Sequence, residues 1–554
     1  MQLYSFISRL LNWHTDCSTI DVGDAVIPIV KTSRSKIAMC STRVYQSHPS
    51  ENFASIFLGA DFGALQSAPE IALPFLEDLL TGGGDARIVR GANGVNKYGC
   101  YAIPKPELLS YGSCTASTIS KAGFAASAGL YRWLKAAARL EDSAATYARE
   151  LNRMRGELVA LHGLTHLSGL DIIFGASGTD LHLFAAQLLC LDAPLLVIMA
   201  EAAETGSGVP AALNGRHFSD CTALGGVVTQ GEWIGRKSNV EVAEVKCRAE
   251  NGDLYSASVI DAEVEKLTAS AIAKGQRVLL ILTDLSKTGL AIPSPACALA
   301  LKRRYADKLD ILVDACQFRL SKVTIRAYLE QDFLLAMTGS KFVTGPAFSG
   351  ALFVPRSMAQ RLRGRKLPLM LSLYSPRADW PDTWAARSTL PDVANYGLLL
   401  RFEAALAELR AFHTLSETDI RAFLETFAAA IQKRLNDDPV FVPLATQEIN
   451  RQPLAGQMSW DHIPTIFPFL MRRESGILLN KDEMKKIYEL TTAARCQLGQ
   501  PVASGALRLC VDMRLIVDAL SPGGRGGEAV INGAMRVLDK AALSIPSPSG
   551  RGLG

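Results

Sequence analysis

The 554-residue chain lacks any long apolar run. Stretches such as LLVIM at Leu195 and VLLIL at Val278 are of strand length, short of the roughly 20 residues a membrane-spanning helix needs. The N-terminus, MQLYSFISRLLNWHTDC, has no basic start, continuous apolar stretch or small-residue cleavage site, so a cytoplasmic location is expected. Charge of one sign is also missing: the net value is +4 with 20% charged residues, and no basic helix-turn-helix segment occurs in the first 110 residues. That balance points away from nucleic acid and membrane surfaces as partners. The eleven cysteines include no CxxC pair, which argues against a disulfide framework or a zinc site. His162 and His166 have the i, i+4 spacing of a helical metal pair, but no third ligand accompanies them, and no metal is expected. The glycine-dense SPGGRGG near Ser521 lacks GxGxxG spacing and reads as a loop.

What is present is a globular balance of 48% hydrophobic residues, in a chain too long for one ordinary domain. Its middle alternates helical stretches with short apolar runs that end in Gly, Asp, Ser or Thr, the pattern of a mostly parallel sheet covered by helices. The expected strands are LLVIMA from Leu195, RVLLILT from Arg277, KLDILVDA from Lys308, FLLAMTG from Phe333 and GALFVP from Gly350. A helix is expected from Asp261, with an acidic start and a glycine stop. The organisation read from these signals is an N-terminal segment over 1–110, packing on either unit, and a large α/β domain over 111–385. A smaller C-terminal α/β domain, opened by a long helix from Tyr396, covers 386–545. A Pro, Ser and Gly rich tail over 546–554 is expected to be disordered.

Three pieces carry the chemistry. GASGTD, Gly175 to Asp180, lies between an apolar stretch and a helix. Its glycines and Thr179 bare backbone N–H groups at a helix N-terminus, where an anion is favoured. Ser177 or Thr179 acting as a plain helix cap accounts for the same residues. ILVDACQ puts Asp314 and Gln317 at the C-terminal edge of a buried strand, where open α/β sheets bind ligands; an Asp capping the next turn is the simpler alternative. In DFLLAMTGSKFVTGP, Lys341 follows a strand and a small polar turn, an uncommon setting for a solvated charge and a suitable one for a reactive amine.

The run VDACQ, DF, TGSK, GP and GALFVP resembles the aminotransferase class V and cysteine-desulfurase-like branch of the fold-type I PLP-dependent enzymes, most closely over residues 170 to 355. The resemblance implies a fold-type I transferase fold: a mostly parallel central sheet covered by helices, with a smaller C-terminal α/β domain. It implies pyridoxal 5'-phosphate (PLP) as cofactor, in Schiff-base linkage to Lys341, with Asp314 against the pyridine nitrogen and Gln317 at the phenolic oxygen. Gly178 and Thr179, helped by Thr338 or Ser340, would hold the phosphate. Arg508, in GALRLCVD, stands where relatives clamp a substrate carboxylate, and its planar fork suits that task; a surface arginine is the alternative. Asn96, Lys97 and Tyr98 lie between glycines, where they can reach a substrate or shape a turn.

The resemblance further implies an amino acid or amine substrate and a homodimer with shared sites. An aminotransferase is the leading reading. The alternatives are a lyase or desulfurase, for which Cys496 in AARCQLGQPV is the thiol on a C-terminal loop, and a binding or regulatory protein without turnover. The chain departs from the pattern in two places. The loop after LLVIMA offers Glu204 and Thr205 where relatives stack a His or aromatic on the cofactor ring, and Ser340 precedes the lysine where desulfurases have His.

Overall fold

Five buried apolar runs in the middle of the chain become the inner strands of one sheet, and their alternation decides which side chain faces which layer. A computed structural model describes residues 45–46, 73–190, 193–235, 239–456 and 458–545. Its seven-stranded sheet runs in the order Asp171–Gly175, Gly350–Val354, Leu334–Thr338, Leu309–Ala315, Arg277–Thr283, Leu195–Ala200, Val240–Val245. Gly350–Val354 is antiparallel to both of its neighbours, and the remaining pairings are parallel. On Arg277–Thr283, Val278, Leu280 and Leu282 enter one core layer while Leu279 and Ile281 enter the layer on the opposite face. A parallel strand covered on both faces reads as continuous apolar sequence for this reason. Each such side chain contributes about 1.5–3 kcal/mol by leaving water.

The helix expected from Asp261 spans Ala257–Ala273, four residues earlier, because the Ser256 hydroxyl accepts from the Val259 N–H and caps it there. The long helix is Tyr396–Phe412, and nearly all of it is buried. Its apolar residues carry the larger core layer, while Arg401, fully buried within it, donates to the Phe348 carbonyl at 2.6 Å and to those of Gly82 and Gly83. Gly397, one turn before Arg401, has no room for a side chain, since a Cβ would come within 2.3 Å of the Gly82 oxygen. The glycine-rich break before Asp85 is thereby fastened to the centre of the molecule.

A second sheet of three antiparallel strands joins Phe441–Pro443, Ile466–Met471 and Leu507–Cys510. Leu109–Tyr111, from the N-terminal part of the chain, pairs in parallel with Cys496–Leu498. Ser110 Oγ donates to Gln497 Oε1 at 2.9 Å, and the buried Tyr111 hydroxyl donates to the Val530 carbonyl. The end of the N-terminal segment is thus built into C-terminal structure. The rest of that segment before residue 73, apart from 45–46, and the tail over 546–554 lie outside the described residues.

One reading needs correction here. Cys496 is a buried strand residue and not part of a loop, and its thiol is raised by burial. His162 packs edge-on against Phe318 and His413 with burial pulling it down to about 3, while His166 is half exposed near Glu330. The two imidazoles do not share a site. Among the described residues, no helix is long and apolar enough to cross a membrane.

Candidate active site

The C-terminal ends of the parallel strands open into a cavity of about 560 Å³. All three motifs reach it. Gly178, Thr179, Asp314, Gln317, Thr338, Ser340, Lys341 and Arg508 line its walls.

The helix Gly178–Leu189 begins at the cavity with Ser177 as its N-cap. Ser177 Oγ accepts from the Asp180 N–H, and the Asp180 carboxylate takes the Ser177 N–H at 2.8 Å, which closes a capping box. The helix-cap reading and the anion-cradle reading therefore hold together, because the cap leaves the first-turn N–H groups beside the cavity. Gly178 has to be glycine: a Cβ there would lie 2.5 Å from Cys316 Sγ and 3.2 Å from Thr338 Cγ2. Arg87 reaches the same cradle from the N-terminal segment. Its Nη1 donates to Thr179 Oγ1 and its Nη2 to Ser177 Oγ, each at 3.3 Å, while Asp85 holds the guanidinium from behind. The Arg87 guanidinium lies 4.7 Å above the Phe348 ring.

Asp314 is buried at the end of its strand and accepts from the Cys316 N–H at 3.1 Å. His182 faces it with Nε2 at 3.4 Å, while the other ring nitrogen lies 2.7 Å from the Gly178 carbonyl. Burial lowers the imidazole, but Asp314 and that carbonyl outweigh it and His182 ends above its ordinary value. Burial likewise raises Asp314, yet His182, the Cys316 thiol and the Lys341 charge hold its carboxyl well below the usual carboxylate range. His182, Asp314 and Cys316 offer ligand atoms within 4.8 Å of one another. Burial and the Asp314 charge push the Cys316 thiol far above its ordinary value.

Gln317 Nε2 donates to the Cys114 carbonyl at 3.0 Å, and its Oε1 is buried without a partner. Thr338 Oγ1 donates to the Cys316 carbonyl at 2.7 Å. A ring-shaped ligand with an anionic group, a protonated nitrogen and an exocyclic oxygen fits this set: an N–H cradle closed to any Cβ, a buried carboxylate beside an imidazole, an under-satisfied carboxamide and an amine.

The opposite wall comes from outside the main sheet. Arg508, 3% exposed, donates to Thr115 Oγ1 at 3.0 Å, to the Gln500 carbonyl and to the Lys287 carbonyl at 3.4 Å, with its Nε unpartnered. It is not a surface arginine. Cys114 Sγ and Arg508 Nε crowd the same point, 2.5 Å and 3.2 Å from the place a Cβ on Gly499 would take. Burial lifts the Cys114 thiol, but Cys510, Arg508, Arg319 and Lys341 together bring it to about 6. Lys287 Nζ donates to the Ala202 and Ala203 carbonyls at 3.3 and 3.4 Å. Burial, Arg508 and Lys341 bring its amine down to about 8.

Asn96 does not line the cavity. Its carboxamide oxygen accepts from the Tyr98 and Cys100 N–H groups at 2.9 and 3.1 Å, so it shapes the turn that presents Lys97 and Tyr98 to the cavity. Glu204 is spoken for by Ser286 Oγ and Thr288 Oγ1, both at 2.7 Å, and by Arg248. Tyr98 and Phe348, with ring centroids 6.0 Å apart, are the aromatic lining residues among those described. Sequence reasoning missed Arg87, Cys114, His182 and Lys287. For His182 a signal existed, because it follows Gly178 by one helical turn.

No family model and no curated protein matches the sequence. Among solved structures the chain is similar to the cystine C-S lyase C-DES in complex with its reaction product, cysteine persulfide. That match has 15% identity and a TM-score of 0.51, over 79% of this chain and 98% of that one. A mutant of C-DES with glycine covalently linked to its PLP cofactor matches with 15% identity and a TM-score of 0.52, over 79% of this chain and 97% of that one. The chain therefore has the fold that its motifs imply, a mostly parallel sheet of the fold-type I kind.

Proposed function

We propose that this chain is a PLP-dependent enzyme acting on an amino acid, with transamination as the reaction. The observation that carries the reading is the convergence of Lys341, Asp314 and the Ser177–Thr179 cradle on one cavity at the C-terminal edge of the sheet. The phosphate belongs at the cradle, where the helix N-terminus and Arg87 favour an anion. Asp314, kept ionised by His182, holds the proton on the pyridine nitrogen. Gln317 has a second Nε2 N–H for the phenolic oxygen. When bound, PLP supplies an electron sink for the charge left when a bond at the substrate Cα breaks. Lys341 would hold the cofactor through its amine, and that amine, when free, would carry the proton taken from the substrate Cα. Arg508 anchors the substrate carboxylate, which fixes the bond that breaks.

A second reading, a lyase that handles sulfur, is favoured by Cys114. It stands on the cavity wall, where Cys510, Arg508 and Arg319 bring its thiol below its ordinary value, a setting that favours a nucleophilic thiolate. Cys496, the candidate by sequence, does not line the cavity.

The test is the visible spectrum of the purified protein and of Lys341→Ala, each with added PLP, followed by an amino-acid panel on the wild type. A yellow band in the wild type alone supports the reading, and the amino acids that shift it name the substrate. Two colourless proteins end it. Formation of a keto acid separates transamination from sulfide release by the lyase.

A further inference from the structure

The cavity carries more positive charge than the proposed reaction uses. Five cationic side chains line it: Arg87, Lys97, Lys287, Lys341 and Arg508. Three are accounted for. Arg87 is paired with Asp85 at the anion cradle, Lys341 is the reactive amine, and Arg508 suits one substrate carboxylate. The two lining carboxylates are both engaged elsewhere, Asp314 with His182 and Glu204 with Arg248, Ser286 and Thr288.

Lys287 is left over, and it is not a solvated surface charge. Its side chain is largely withdrawn from water, and among the described residues no carboxylate lies within ion-pair distance of it. Its Nζ is held only by two long bonds to the Ala202 and Ala203 carbonyls, which leaves a third N–H free. It sits next to Arg508, whose Nη1 donates to the Lys287 carbonyl at 3.4 Å. Two buried cations side by side repel each other, and an unpaired buried charge is costly. The cost is recovered when an anion arrives.

We propose that the substrate carries a second anionic group, and that Lys287 receives it while Arg508 receives the α-carboxylate. The substrate class is then an amino acid with an acidic side chain, a carboxylate or a sulfinate. Lys97 stands exposed at the same cavity and adds attraction for such a dianion. This inference deepens the amino-acid reading above and rests on it for the identity of the first anion. The pair of anion sites itself does not depend on a bound cofactor.

The experiment uses that independence. Glutarate, a dicarboxylate without an amine, and butyrate, a monocarboxylate, are titrated by calorimetry into the full-length wild type, Lys287→Met, Lys287→Arg and Arg508→Met. In parallel, L-glutamate and L-norvaline are titrated into the PLP-treated wild type and watched by the visible band. The expected result is glutarate binding at least about tenfold tighter than butyrate, as one added charge-assisted contact allows. The preference disappears in Lys287→Met and is largely restored in Lys287→Arg, while Arg508→Met weakens both ligands. Equal binding of glutarate and butyrate to the wild type, or a preference that survives in Lys287→Met, overturns the inference even if the yellow band forms. A dicarboxylate preference that depends on Lys287 in a protein forming no yellow band upholds the anion pair and removes the PLP reading.

Discussion

On the sheet side of the cavity, Asp314 faces His182 at 3.4 Å and Asp180 closes a capping box with Ser177. On the opposite side, Arg508 keeps an unpartnered Nε and Lys287 has only carbonyl partners. The sheet side meets its charge-pairing needs at Asp314 and Asp180 within itself, although Gln317 Oε1 stays unpartnered there. The other side meets them incompletely and stands ready for an anion. On the proposed function, one wall holds a constant group and the other recognises a variable one.

Substitutions on the two walls should therefore fail differently. The largest effect is expected from Asp314→Ala, which leaves His182 buried without its counter-charge. Breaking such a pair costs about 3 kcal/mol, and PLP retention should fall with it, read by thermal melting and by the yellow band. The pair also has a pH signature. A histidine raised in the folded state adds stability that is complete below its unfolded value of about 6.5 and is lost as pH rises through the higher folded value. The stability gap between wild type and His182→Gln should accordingly narrow from pH 6 to pH 9; a gap that widens would break the account.

Arg401→Met tests the anchoring of the other wall. It strips the Phe348, Gly82 and Gly83 carbonyls of a shared donor, at about 3 kcal/mol for the buried acceptors left behind. Limited proteolysis should then cut between residues 79 and 98 sooner than in the wild type, with the sheet core unaffected. Gly178→Ala should cost about 1–3 kcal/mol by overpacking against Cys316 and Thr338, and should weaken PLP binding more than amino-acid selectivity. The smallest effect concerns Cys114. Alkylation should level off at a lower pH than for an ordinary thiol, and Arg508→Met should move that plateau to higher pH, as mass spectrometry of the labelled residue would show.

The same division explains what could be read from the sequence. The sheet wall is made of residues close together in the chain: Ser177 to Asp180 at a helix start, Asp314 and Gln317 one turn apart, Thr338 to Lys341 after a strand. Their spacing is local, and the five strands that carry them announce themselves as unbroken apolar runs. The other wall has no local spacing to read. Cys114 and Thr115 meet Arg508 because of a strand pairing across the length of the chain, and Arg508 itself was found only through the resemblance to relatives. Lys287 looked like any lysine in a loop, since its burial comes from neighbours distant in sequence. Asn96 shows the converse hazard: local spacing singled it out, and a local turn was all it served.

That strand pairing reaches beyond architecture into the timing of biosynthesis. Ser110 and Gln497, bonded across the seam, are separated by 387 residues. At 5–20 residues per second a ribosome needs roughly 20 to 80 s to cover that distance. The strands of the sheet wall, within residues 171–354, emerge well before Cys496–Leu498 can pair with Leu109–Tyr111. The growing chain thus carries the strands of one wall long before it carries Arg508 of the other.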